Sequence, residues 1–468
     1  SQDLYHHYLG EINDKISTFM HELDEELWKV GVMAKIQHNE VAPAQHEVVP
    51  VFDQVNTATD QNNLLMELLS KVADRNNLKV LLHEKPFAGI NGSGKHNNWS
   101  ISSNDGRNLL DINKTPFDLF MTMFVSVISA IDNHYDLVRL TTASSSNDHR
   151  LGGNEAPPSI ISVFIGENMD KILDDYLDGK ISTDDEVAYL AHGTPNLPTL
   201  RRDNCDRNRT SPFAFTGNKF EFRMVGSMQS NALPNFVLCT IIAKELKKIA
   251  NLLENCEENE RKSKLNEILK HNINSHRRII FNGNGYDEEW KIEAEKRGLK
   301  DYKNSPDCFV NLLKEQNISL FEEMKVLSKN EMALRYDIYL KTYVENVMLE
   351  ARVLLDMINK EVLPLLCDYY AEVSSIVETM SKIKSANNYI LEKHKFIDET
   401  ILAISESAKT LEDAMEKDIS KLSELDKAKY VRDDILCIMK KVREVYDEAE
   451  KHLPEKYIAF PTYNDLLF

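Results

Sequence analysis

Cysteine is scarce and scattered in this chain. Its six copies, Cys205, Cys239, Cys256, Cys308, Cys367 and Cys437, include no C-x-x-C pair. That excludes a zinc ribbon or disulfide framework and reads as reduced, cytosolic thiols, so a cytoplasmic protein is expected. Long apolar runs are missing too. None approaches the roughly 18 residues needed to cross a bilayer, and no secretory leader is visible, so no membrane partner is expected. Positive charge is in deficit: the net charge of −19 argues against nucleic acid as a partner, because phosphate neutralisation needs a basic footprint. A small anionic substrate needs only a locally basic pocket. There is no internal repeat and no Gly-x-x-x-x-Gly-Lys-[Ser/Thr] phosphate loop. An initiator Met is also lacking. The chain starts at Ser1, and a processed, truncated or incompletely represented N-terminus is the expectation.

What is present centres on His83 to Ser100. Three glycines, two lysines, two histidines and three asparagines follow a strand-like apolar run, Leu78 to Leu82. Glycine lets backbone N–H groups approach an anion closely, while His96 and the asparagines offer point contacts to a metal or polar substrate. The bland reading is a Gly/Asn-rich turn between strands.

At 468 residues the chain is too long for one ordinary core and suggests two to four folding units. Apolar spacing of three and four predicts a helix from about Asp14 to Val30, ended by Gly31. A strand-like Val32–Ile36 leads to Glu40 and Glu47, which flank a Pro43-containing turn as in a hairpin. A second helix is expected from Asp60, as its cap, to Asn76. Phe117 to Val138 reads as one long buried helix, Thr141 to Asn154 as a mobile polar loop suited to a lid, and Ser159 to Ile165 as a strand. In Asn218–Arg223 the charged Lys219, Glu221 and Arg223 alternate with Phe220 and Phe222, so they share one strand face. After about Asn235 helical periodicity dominates. Ser328 with Glu331 makes a capping box opening a helix that runs to near Pro364, and 372–453 reads as a helical bundle or hairpin.

Four groups stand out as chemistry: Glu40 with Glu47, Asn91 through His96, Arg150 with Glu155, and Arg209 with Glu221 and Arg223. Carboxylates with an imidazole suit Mg²⁺ or Mn²⁺, and the planar arginine fork suits phosphate and carboxylate. Metals plus arginine clamps are the working parts of phosphoryl transfer. Taken singly, each has a bland reading as a solvated turn, a surface ion pair or a wet strand face.

Taken in order they resemble the glutamine synthetase family, most closely its type III branch. The resemblance lies in Asn39–Glu47, Lys85–Ser100, Arg150–Pro157, and Asn208–Pro212 through Glu221–Arg223, with the helical part after Ile318 and the closing Pro461–Phe468 also alike. It implies an α+β fold, a curved antiparallel sheet backed by helices and followed by a long α-helical C-terminal region. The expected division is a catalytic domain over 1–250, a helical connection over 251–327 and the type III helical region over 328–468. By position, Glu40 and Glu47 would ligate one metal, and His96 and Glu221 a second. Asn91 and Gly92 match the glutamate-binding loop. Arg150 and Arg223 match the arginines on the substrate carboxylate and transferred phosphoryl group, and Arg209 a phosphate-binding arginine. Glu155 matches the flap carboxylate that takes a proton. Phe52, Asn98, Ser100 and Lys219 fall on the nucleotide side, Asn98 where the best-known bacterial form has a histidine.

The resemblance further implies ATP as co-substrate, glutamate and ammonia as partners, and a homo-oligomer, a dodecamer of two hexameric rings. Upstream of Glu40 the family carries a β-grasp domain and a Glu-x-Glu strand that are not in this sequence. The chain is therefore expected to be the C-terminal portion of a longer synthetase. Alternatives are an inactive fragment or paralogue acting as an oligomerising or regulatory subunit, and a γ-glutamyl ligase using another amine.

Overall fold

The computed structural model describes residues 7–153, 156–180, 189–190, 200–201, 210–384 and 387–462. The chain forms two units, Ser1–Ala333 and Leu334–Phe468.

In the first unit, α1 (Asp14–Lys29) starts where the Asn13 side chain accepts the Lys15 N–H at 2.9 Å, and stops before Gly31, whose φ of +78° turns the chain out of the helix. The antiparallel strands β1 (Ala34–Asn39) and β2 (His46–Pro50) form a separate hairpin. Helix α2 (Val55–Arg75) begins five residues before the expected Asp60 cap. Tertiary packing overrides weak local signals here: Thr59 is buried and accepts a hydrogen bond from Asn235 at 3.2 Å. Phe19, Leu23 and Leu27 of α1 meet Leu65 and Val72 of α2 in a local core under the hairpin. Leu78–Leu82, expected as a strand, is extended with Leu78 and Val80 packed on that core, but it joins no ladder.

The central sheet has four strands in the order β3 (Gly94–Trp99), β8 (Phe220–Gly226), β7 (Phe213–Phe215) and β4 (Val163–Phe164). The β3–β8 and β7–β8 pairs are antiparallel and β4–β7 is parallel, so the sheet is mixed rather than the expected antiparallel one. Strand pairing in the 159–165 segment is confined to β4. Two short strands, β5 (Tyr189–Leu190) and β6 (Leu200–Arg201), pair apart from it. Helix α3 (Phe117–Asn133) backs the sheet, with Phe120 and Phe124 against Phe213, Phe215 and Phe220 in an aromatic cluster. Each fully buried ring is worth roughly 1.5–3 kcal/mol. The long helix expected to Val138 breaks at His134, which bonds Asn317 at 3.0 Å, and resumes as α4 (Tyr135–Leu140). The expected mobile loop after Thr141 instead holds a short helix, α5 (Ser145–Arg150), because Ser144 caps the Asn147 N–H at 3.1 Å. Around this lie α6 (Gly166–Leu177), α7 (Ala232–Glu254), α8 (Glu258–His276), α9 (Glu288–Lys296), α10 (Ser305–Phe309) and α11 (Glu315–Glu323).

The second unit is helical, and its first helix starts in the closing residues of the first unit. The Ser328–Glu331 capping box forms at 2.8 and 3.3 Å and opens α12 (Lys329–Met357). Pro364 lacks an N–H, yet it does not end the path: a π-helical turn over Ile358–Val362 absorbs the missing bond and α13 (Leu363–Lys382) continues. Helices α14 (Asn388–Glu416), α15 (Glu424–Tyr430) and α16 (Leu436–Glu450) complete a bundle packed through Leu366, Val373, Ile397, Ile404 and Val442. No helix among the described residues is long and apolar enough to cross a membrane.

Candidate active site

Two carboxylate corners form the site. The first is the β1–β2 hairpin, where register sets His38 opposite Glu47 and Asn39 opposite His46. The turn closes through Glu40 N–H to Gln45 O at 2.8 Å and Gln45 N–H to Ala42 O at 3.2 Å, with Ala44 at φ +51°. Because strand side chains alternate, His38 and Glu40 share a face with the cross-strand Glu47. His38 Nε2 lies 3.2 Å from Glu40 and 3.4 Å from Glu47, and one donor atom from each of the three falls within 4.8 Å of the others. Partial burial, together with the neighbouring Glu40 carboxyl, pushes Glu47 up to about 7.

The second corner is on the central sheet. Asn98 pairs with Glu221 and Asn97 with Phe222, and a register slip between Lys95 and Asn97 leaves His96 at a bulge. There His96 Nδ1 reaches Glu221 at 2.8 Å, and Arg223 Nε reaches the same oxygen at 3.2 Å. Glu221 and Arg223 do share a strand face, but that face is buried rather than wet. Burial alone would raise Glu221; the His96 hydrogen bond and the Arg223 charge outweigh it and hold the carboxyl at about 2. The nearby His96 also acts on Glu47, lowering it against the rise from burial and Glu40.

The glycine-rich loop joins them. Gln45 Nε2 donates to Gly92 O at 2.9 Å and to Ser93 Oγ at 3.1 Å, tying the hairpin to the loop. Arg150 lies buried beneath it, its guanidinium donating to Asn147 Oδ1 at 3.2 Å and Arg223 O at 3.1 Å, with longer bonds to Met224 O and Val225 O. Burial lowers this guanidinium to about 10. Its fork thus holds the strand that carries Glu221 and Arg223. Gly94 must lack a Cβ, which would fall 2.0 Å from Arg150 Nη2.

The remaining expected residues scatter more. Asn91 and Gly92 are half-buried in the loop. Ser100 bonds Asn108 at 2.8 Å and Asn218 O at 3.1 Å, Asn98 is exposed, and Lys219 sits in the β7–β8 turn. Phe52 is 94% exposed and stacks on nothing among the described residues. Glu155 and Arg209 lie outside the described residues. Their neighbours meet one turn: Tyr286 donates to Ala156 O at 2.9 Å, and Gly285 N–H to Thr210 Oγ1 at 2.7 Å.

Sequence reading missed His38, Gln45 and Glu84. His38 was findable, since it stands two residues before Glu40 on a strand. Nothing in Leu82-His83-Glu84-Lys85 signals that Glu84 is fully buried.

Chemically, paired carboxylates with one imidazole form an oxygen-rich donor set for a hard divalent cation. The residues fit such an ion at the hairpin. At the sheet corner His96 and Glu221 supply two donors.

Residues 5–161 match the family model of the glutamine synthetase catalytic domain, and 264–381 that of the glutamine synthetase C-terminal domain. The whole chain aligns at 41% identity with a glutamine synthetase of Butyrivibrio fibrisolvens, at 37% with the type-3 glutamine synthetase of Dictyostelium discoideum, and at 35% with a glutamine synthetase of Bacteroides fragilis. It covers 67%, 65% and 66% of those relatives, about two thirds of their length. Among solved structures, ligand-free GmaS matches with a TM-score of 0.43 at 14% identity over 70% of this chain and 59% of that one, a likeness too slight to carry weight.

Proposed function

The chain belongs to the glutamine synthetase family, and on that premise we propose that it serves the ATP- and divalent-metal-dependent ligation of ammonia to the side-chain carboxylate of glutamate. One observation carries the proposal: two acid–imidazole corners, Glu40/Glu47/His38 and Glu221/His96, stand at either end of an asparagine–glycine loop that Gln45 ties to the first, with Arg223 on the second.

In this reading Glu40 and Glu47 hold one Mg²⁺ or Mn²⁺, and His96 and Glu221 hold the other. When bound, such ions neutralise phosphate oxygens during transfer. Arg223, fixed on Glu221, adds a guanidinium charge on the transferred phosphoryl group. Asn91 and Gly92 orient glutamate; Arg150, expected on the substrate carboxylate, is buried with its guanidinium on the β8 carbonyls and instead supports their loop from behind. The glutamate carboxylate oxygen attacks the γ-phosphorus of ATP. That P–O bond forms as the bond to ADP breaks, giving γ-glutamyl phosphate. Ammonia then attacks the acyl carbon, Glu155 takes the proton lost from nitrogen, and the C–O bond to phosphate breaks to release glutamine. Exclusion of water protects the acyl phosphate. Phe52, Asn98, Ser100, Lys219 and Arg209 take the nucleotide side, and the working form is a ring-shaped homo-oligomer, a dodecamer.

The test is glutamine formation by the full-length protein, with phosphate release counted against it. Equal amounts of glutamine and phosphate, dependent on glutamate, ATP and Mg²⁺, are expected. Replacing Glu221 by Ala should lower kcat by about a hundredfold or more. A normal rate removes Glu221 from the site, and phosphate release indifferent to glutamate sinks the reading.

A further inference from the structure

Behind the glycine-rich loop sits a carboxyl group that the proposed chemistry does not use. Glu84 is 0% exposed. Its Oε1 accepts the Met228 N–H at 3.1 Å, and its Oε2 has no hydrogen-bond partner among the described residues. Its backbone oxygen accepts the Ser93 N–H at 2.8 Å. Two glycines are shaped to it: a Cβ on Gly92 would fall 2.4 Å from Glu84 O, and one on Gly226 would fall 2.2 Å from Oε1. One residue therefore touches both the 92–93 loop and the 226–228 turn that follows the Glu221–Arg223 strand.

A fully buried, half-satisfied acid is costly unless a positive charge compensates it. Arg150 and Lys95 are the cations whose charged forms Glu84 favours. Both bond elsewhere, Arg150 to the carbonyls of β8 and Lys95 to Gln229 O. Glu84 thus acts on them through the low-dielectric interior rather than by a direct ion pair.

We propose that Glu84 is a positioning residue: a buried counter-charge that fixes the Gly92–Gly94 loop and Arg150 relative to β8, so that the loop is pre-set to receive the amino-acid substrate. The substrate part of this rests on the ligase reading above; the loop-setting part does not.

The experiment compares Glu84→Gln, Glu84→Asp and Glu84→Ala with wild type in the full-length protein. Amide hydrogen exchange over 89–95 and 149–153 is read alongside kcat and the KM values for glutamate and ATP. Glu84→Gln keeps shape and an acceptor while deleting the charge. It should speed exchange in both segments and raise the glutamate KM by about 10- to 100-fold, the usual scale for a lost supporting partner. The ATP KM should stay within about twofold. Glu84→Asp, which retains charge, should move both readouts back toward wild type. Unchanged exchange in Glu84→Gln overturns the proposal, as does a rise in both KM values together. A wild-type protein that makes no glutamine would defeat the ligase reading alone, because exchange still decides whether Glu84 sets the loop. Should Glu84→Ala fail to fold, Glu84→Gln carries the test.

Discussion

The two corners of the site use the same residue types and reach opposite electrostatic states. At the sheet, Glu221 has an 11% exposed side chain, with His96 and Arg223 on one oxygen, and is held at about 2. On the hairpin, Glu47 has a 44% exposed side chain, and partial burial with a second acid beside it lifts it to about 7. The sheet corner is neutralised by its own chain. The hairpin holds two acids against one imidazole and favours an added cation. Rigid strand register builds the first state, and a turn bringing Glu40 and Glu47 together builds the second.

The largest effect that tests this contrast is on stability. Glu221→Gln removes the charge facing the buried Arg223 and should destabilise the metal-free protein by roughly 3 kcal/mol at neutral pH, the size implied by its lowered pKa. Glu47→Gln should change stability by less than about 1 kcal/mol, in the stabilising direction. Urea unfolding of both variants reads this directly, and equal losses would erase the distinction between the corners.

A pH series sharpens it. Glu221 has a folded value below its ordinary 4.5, so its contribution is present above 4.5 and lost as pH falls through about 2. Glu47 has a folded value above 4.5, so its contribution is full below 4.5 and lost as pH rises through about 7. Unfolding of wild type against Glu47→Gln should therefore diverge between about pH 4.5 and 7, and wild type against Glu221→Gln should converge below about pH 4. The reverse pattern would assign the shifts wrongly.

The smallest effect is a melting shift of a few degrees on adding Mn²⁺, larger at pH 8 than at pH 5 and reduced in Glu40→Gln with Glu47→Gln, which leaves the His96/Glu221 corner intact. A chelator should reverse it. A shift undiminished by the double substitution would remove the hairpin as a cation site.

The residue order already pointed to both corners, because Glu40 and Glu47 flank a proline turn and Phe220/Phe222 alternate with Glu221/Arg223. Helix α1, the capping box at Ser328 and the helical C-terminal unit were equally readable, being local signals. What escaped depended on distant partners. His134 breaks α3 because it bonds Asn317, Thr59 is fixed within α2 by Asn235, and Glu84 is buried by segments more than 140 residues away in sequence. The parallel β4–β7 pair joins strands some 50 residues apart, and no periodicity reports such a pairing.

Gln45 gives this arrangement its mechanics. Its backbone closes the hairpin turn on both sides, while its amide reaches across to Gly92 O and Ser93 Oγ. The hairpin and the glycine loop are thus braced by a single side chain. The spacing of Glu40 from Glu47 and the placing of Gly92 therefore share one support, and losing the Gln45 side chain would uncouple them.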